Sequence, residues 1–96
     1  MSNKYKQYVD NTKKSLIYWQ ELSILEFTEE LARILEQKKL TQSDLAKKIN
    51  KSAPYISKVM NGNVNFTLKT MTELARALDS IVHVHIAPEN AQWIKP

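Results

Sequence analysis

Apolar side chains recur along most of this chain at spacings of three and four, the period of a helix with one buried face. Leu16, Ile17, Trp19 and Leu22, with Tyr18 between them, open the pattern and predict a helix over 12–22. Ile24, Phe27, Leu31, Ile34 and Leu35 carry it on to Lys38 and Lys39, whose charges suit a helix C-terminus. Ser23 with Glu26 matches a capping box, so either a second helix starts there or the first continues through. Leu45, Ala46 and Ile49 mark a shorter helix, Ile56 and Val59 another, and Leu68, Met71, Leu74, Ala75 and Leu78 a last one. The period then breaks: Ile81-Val82-His83-Val84-His85-Ile86 alternates and is β-branched, which predicts a strand stopped by Pro88.

Between these runs the polar residues are placed as helix punctuation. Thr41 is a good N-cap, and Asp44 three residues on can return a hydrogen bond to its backbone N–H. Asn50 stands where the chain must turn, and Asn tolerates a left-handed backbone better than most residues. Ser52 restarts a helix, Pro54 is admissible in its first turn, and Gly62, the only glycine in the chain, ends it. Thr67 caps the last helix after a short loop in which Phe66 is expected to tuck inward. The expected core is Leu31, Leu35, Leu45, Ile49, Ile56, Val59, Met71 and Leu78, with Met71 as a gap-filler.

Two short helices joined by a tight turn occur in DNA-binding proteins and in plain helical packing alike, so the outward residues decide. Gln42, Lys47 and Lys48 would project from the first of the pair, and Lys51, Tyr55 and Lys58 from the second. This polar, basic face suits phosphates and base edges. The stretch Leu40 to Gly62, with its L-T-Q-x-x-L-A opening and N-G close, closely resembles the helix-turn-helix of the phage repressor and Cro class, the XRE-like regulators. The resemblance covers roughly residues 27–78. Asn50 replaces the glycine that the class often has in the turn, and Ala53-Pro54 stands where it often has polar base-readers.

The resemblance implies a mostly α protein with a four- to five-helix repressor-like domain over 25–79; the apolar run before it is read as an N-terminal helical extension over 1–24 and the alternating run after it as a C-terminal strand and tail over 80–96. It also implies roles by motif position. Ala53, Pro54, Tyr55 and Lys58 stand where the class reads bases, Lys58 as a donor to guanine and the first two as apolar contacts to a thymine methyl. Gln42 and Asn61 stand at phosphate-contacting positions, with Lys51 and Lys69 as added clamps and Ser57 as either a phosphate contact or plain surface.

Charge agrees with that reading. The chain carries a net +4, and the window 41–69 accounts for as much, with lysines at 47, 48, 51, 58 and 69 against Asp44 alone. Glu26, Glu29 and Glu30 lie in the helix before it. A basic stripe on one side of a small domain is the footprint of a polyanion partner, here double-stranded operator DNA. The absence of cysteine excludes thiolate metal sites and cysteine nucleophiles and suits a reducing cytosol. No apolar run approaches the ~20 residues of a membrane span, and the lysine-rich start lacks a signal peptide's apolar core, so no membrane partner and a cytoplasmic, nucleoid-associated location are expected. With no phosphate loop, metalloprotease motif or paired nucleophile and base, no enzyme and no cofactor are expected.

A lone strand cannot satisfy its own backbone, so Ile81 to Ile86 is expected to pair with its copy in a two-fold homodimer. XRE-like antitoxins of the HigA/HipB kind have such strands. His83 and His85 share one strand face but fall short of a metal site, with only Glu89 near in sequence, and are read as a solvated or dimer-facing pair that is weakly pH-sensitive. The tail, with Trp93 and Ile94, is read as an apolar plug. Tyr18 and Trp19 face either the domain's own core or a partner, since aromatic residues are enriched in interface hot spots.

Three functions fit. The first is a repressor that is the antitoxin of a type II toxin-antitoxin pair, autoregulating its operon and neutralising an RNase-type toxin of the HigB kind. The second is a stand-alone XRE-like or phage-type regulator without a toxin. The third is a helical interaction module without DNA binding.

Overall fold

A computed structural model of the 96-residue chain describes residues 15–88. The lysine-rich start, the first residues of the 12–22 helix, Glu89 and the plug residues Trp93 and Ile94 lie outside the described residues. Four helices follow one another: α1 (Leu16–Lys38), α2 (Gln42–Lys48), α3 (Ala53–Met60) and α4 (Leu68–Ala77).

Each helix starts on a hydroxyl cap. Ser15, Thr41, Ser52 and Thr67 accept hydrogen bonds from the amides of Tyr18, Asp44, Tyr55 and Thr70, satisfying donors that the first turn leaves orphaned. Each helix also closes the same way, on a residue with left-handed backbone: Lys39 (φ 57), Asn50 (φ 57), Gly62 (φ 76) and Asp79 (φ 58). The amide after each of these reaches five residues back, as in Leu40 to Leu35 O at 2.9 Å and Lys51 to Ala46 O at 2.9 Å. Asn63 to Lys58 O at 3.1 Å and Ser80 to Ala75 O at 2.9 Å complete the set of Schellman closures. Only one of the four is a glycine.

Ser23 does not start a helix. It lies inside α1, and its hydroxyl donates to the Trp19 carbonyl at 3.1 Å instead of capping. With no Pro or Gly between Leu16 and Lys38, nothing interrupts the ladder, and the first two apolar runs form one 23-residue helix.

The core is built where the helices converge. Leu31 and Leu35 from α1, Leu45 and Ala46 from α2, Ile56 and Val59 from α3, and Leu74 of α4 with the capping Leu78 are all buried. Ile49 and Met71, expected in the core, are half-buried at its margin. Phe66 does turn inward, meeting Phe27 edge-on with ring centroids 4.9 Å apart. The one buried polar side chain among the described residues, Thr28, donates to the Leu25 carbonyl at 3.0 Å and so costs little.

The strand expected over Ile81 to Ile86 does not form in the single chain. Residues 81–88 are neither helix nor strand, and Ile81, Val84 and Ile86 are 66%, 67% and 99% exposed. The physical reason is the one that made a lone strand costly: the described residues offer it no second strand to pair with.

Candidate nucleic-acid interface

The paired helices are set by two local devices. At the head of α2 the capping box is reciprocal: the Asp44 amide donates to the Thr41 hydroxyl at 3.0 Å, and the Thr41 amide donates to the Asp44 carboxylate at 2.8 Å. The amide bond from Thr41, then its hydroxyl, then Lys47 and Lys48 hold the Asp44 carboxyl below its ordinary value. At the other end of α2 the left-handed Asn50 reverses the chain within three residues, so that α3 starts at Ala53 already crossing α2.

One side of α3 is fixed by burial. Ile56 and Val59 are fully enclosed, and α3 packs on α2 and α1 through them. Helical spacing then turns Ala53, Pro54, Ser57, Lys58 and the capping Asn61 outward, and all five are exposed. Pro54 sits in the first turn, where its missing N–H leaves no orphan. No acidic residue lies in that turn.

Tyr55 is placed differently from its expected projection with the base-reading residues. It precedes Val59 by one helical turn and so shares part of the inward side, half-buried against the core. Its ring instead receives the Lys51 ammonium, 5.8 Å from the centroid. Lys51 belongs to the turn before Ser52, not to α3 itself. Sequence reasoning missed this pairing, although the four-residue spacing of Lys51 and Tyr55 could have signalled it.

The remaining expected contacts are distributed around the paired helices. Gln42 is the first residue of α2 and is exposed, Lys69 lies exposed in the first turn of α4, and Lys47 and Lys48 are exposed in the last turn of α2. Tyr18 and Trp19 lie far up the chain, at the start of α1, half-buried, their rings edge-on with centroids 5.2 Å apart. His83 and His85 are exposed on the extended segment, their ring centroids 6.2 Å apart and tilted by 31°.

A cavity of about 330 Å³ between α1 and the end of α3 is lined by Leu22, Ile24, Leu25 and Met60, with Glu21 its only charged side chain. No helix among the described residues is long and apolar enough to cross a membrane.

A family model described as helix-turn-helix matches residues 31–81, more than half of the chain. It begins inside α1 and ends just past the left-handed Asp79, so it takes in α2, the turn, α3 and α4 whole. No curated protein and no solved structure matches the chain.

Proposed function

The chain belongs to the helix-turn-helix family of XRE-type DNA-binding transcriptional regulators, and from that premise we propose that it is a sequence-specific repressor acting as a homodimer. The observation that carries this reading is the outward stripe of α3. Its residues are exposed while the opposite side of the same helix is fully buried, so the helix is held rigidly and offers its polar side to a groove. In this mode α3 enters the major groove. Lys58 donates to a guanine edge and Ala53 and Pro54 make apolar contact, while Gln42, Lys51, Ser57, Asn61 and Lys69 contact phosphates. Tyr55 acts by placing Lys51.

The dimer is supported by the state of residues 81–86. The amides of Ile81, Val82, His83 and Val84 donate to no backbone carbonyl among the described residues, and the side chains are mostly exposed. Pairing with the same strand of a second copy satisfies both and sets two recognition helices about 34 Å apart, one turn of duplex.

The repressor is, in this reading, the antitoxin of a type II pair that represses its own operon and neutralises an RNase-type toxin. Support comes from the half of α1 that precedes the matched module, where Tyr18 and Trp19 form an aromatic pair. A stand-alone regulator shares the DNA chemistry and lacks only the toxin. Titration of the duplex upstream of its own coding sequence over a range of salt tests the DNA half: log affinity is expected to fall linearly with log salt and to exceed that for random duplex. No preference at any salt would overturn the operator reading. Isolation from its own cell tests the other half, a co-eluting RNase favouring the antitoxin and its absence the stand-alone regulator.

A further inference from the structure

We propose that two copies paired through residues 81–87 build a binding site for one divalent transition-metal ion, of the zinc type, from His83 and His85 of each chain. This rests on the strand-paired homodimer proposed above. Within one chain the two imidazoles are too few: the described residues contain no group of three or more potential ligands. Symmetry supplies what the single chain lacks.

The register follows from where the extended run can start and stop. Ser80 is tied back to α4, its amide donating to the Ala75 carbonyl at 2.9 Å, and Pro88 has no N–H with which to continue a ladder. The run between them is 81–87, and its midpoint is Val84. An antiparallel pair in full overlap therefore has its two-fold axis at Val84, with Val82 opposite the partner's Ile86 and His83 opposite the partner's His85. Residues directly opposite one another point to the same face. Val82, Val84 and Ile86 of both copies then form one apolar face, and all four imidazoles stand on the other. A slip of one residue would set each histidine against an aliphatic side chain and mix the faces, which the hydrophobic pattern disfavours. In the single chain Val82 is the half-buried member of the run, and with Ile81 and His83 it lines a cleft against Phe27, Leu31 and Ile34 of α1.

The distances suit an ion. Opposed Cβ atoms in such a pair lie about 4.5–5.5 Å apart. Within a chain the rings are already neighbours, with centroids 6.2 Å apart. Zinc bonds of about 2.0–2.1 Å to two imidazole nitrogens place ring centroids roughly 5 Å apart at a tetrahedral angle. Three or four imidazoles reach one ion, with water completing the shell where three do. An all-imidazole set selects zinc, nickel or copper over magnesium and calcium, which prefer oxygen. Because the ion is held only by the pair, it stabilises the dimer by mass action.

The test uses the full chain freed of metal with a chelator and then dialysed against Zn²⁺, with bound metal and sedimentation measured together. The expected result is one zinc per two chains and dimerisation tightened by about tenfold or more. The variants His83→Gln and His85→Gln should each lose most of the zinc, and the double variant all of it. A dimer that takes up no zinc, or a double variant that binds it undiminished, overturns the metal site and leaves the strand pairing standing. A chain that stays monomeric with and without zinc overturns both.

Discussion

The Lys51 ammonium lies 5.8 Å from the centroid of the Tyr55 ring, so a charge from the turn is held over the first turn of the outward-facing helix. Tyr55 is half-buried against the core, and its ring is in turn held by α3. A lysine that would otherwise sample many rotamers is thereby held over that turn, where the proposed binding mode calls for a phosphate contact. Lys51→Ala is expected to weaken binding to operator and random duplex alike and to lower the slope of log affinity against log salt by about 0.9 per lost phosphate contact. Tyr55→Phe, which keeps the ring, should change neither, whereas Tyr55→Leu should behave as a weaker Lys51→Ala. A salt titration of the three variants separates these outcomes.

Lys58 is exposed on the outward stripe of α3, one turn after Pro54, and is the only charged side chain on it. If it donates to a guanine edge, its loss affects discrimination more than overall affinity. Lys58→Ala is expected to reduce the preference for operator over random duplex by about 1–3 kcal/mol. Competition binding with both duplexes measures this, and an unchanged ratio would assign Lys58 to the backbone.

Much of the fold was legible because caps, periodicity and turn residues agreed with one another. Thr41 with Asp44, Ser52 with Pro54, Thr67, and the left-handed Asn50 and Gly62 all lie where residue chemistry places them. The left-handed stop at Lys39 was not legible, since lysine is not favoured there and the closing hydrogen bonds decide, whereas Asp79, of a type that tolerates this backbone, was a signal left unread. Ser23 left two readings open because a hydroxyl followed by a glutamate also occurs inside a helix, where the hydroxyl bonds backwards, and the continuous helix is the one that forms. At the interface, the α3 stripe followed from the burial of Ile56 and Val59, but the inward lean of Tyr55 did not. Its aromatic ring and phenol suit either side, and only packing against the core selects one.

Asp44 offers a stability test that does not involve DNA. Its carboxyl is held below its ordinary value by the Thr41 amide and hydroxyl and then by Lys47 and Lys48. A depressed value in the folded state contributes stability that is present above the unfolded value, near pH 4, and lost as pH falls through the folded value. Asp44→Asn should therefore lower the melting temperature at pH 7 and flatten the acid limb of a stability-versus-pH curve below about pH 4. Equal acid limbs for the two proteins would show that the capping carboxylate is not what acid removes.

Gly62 separates backbone strain from crowding. A Cβ added there would meet only Ile24 Cγ2 at 3.9 Å, an ordinary contact, while φ is +76°. Gly62→Ala is expected to destabilise the fold by roughly 1–2 kcal/mol, the cost of a left-handed backbone for an L-residue. Gly62→Asn should cost less, since Asn accepts that conformation at position 50 in this same chain. Denaturant unfolding of both variants gives the ranking, and a larger loss for Asn would contradict it.

Removal of Ile81 to Pro96 addresses the dimer directly. The four helices and their core close at Leu78, and the left-handed Asp79 with Ser80 completes the last Schellman turn, so no buried core residue is lost with the tail. The shortened chain is expected to fold, to sediment as a monomer, and to bind a single half-site with little change. Its affinity for the full operator should fall by a large factor, because the second recognition helix then binds as an independent molecule instead of at high effective concentration. Val84→Asp in the full chain should reproduce the effect by placing two carboxylates opposite one another on the two-fold axis. A truncated chain that still sediments as a dimer would move the interface to the helical domain and leave the extended segment without its proposed role.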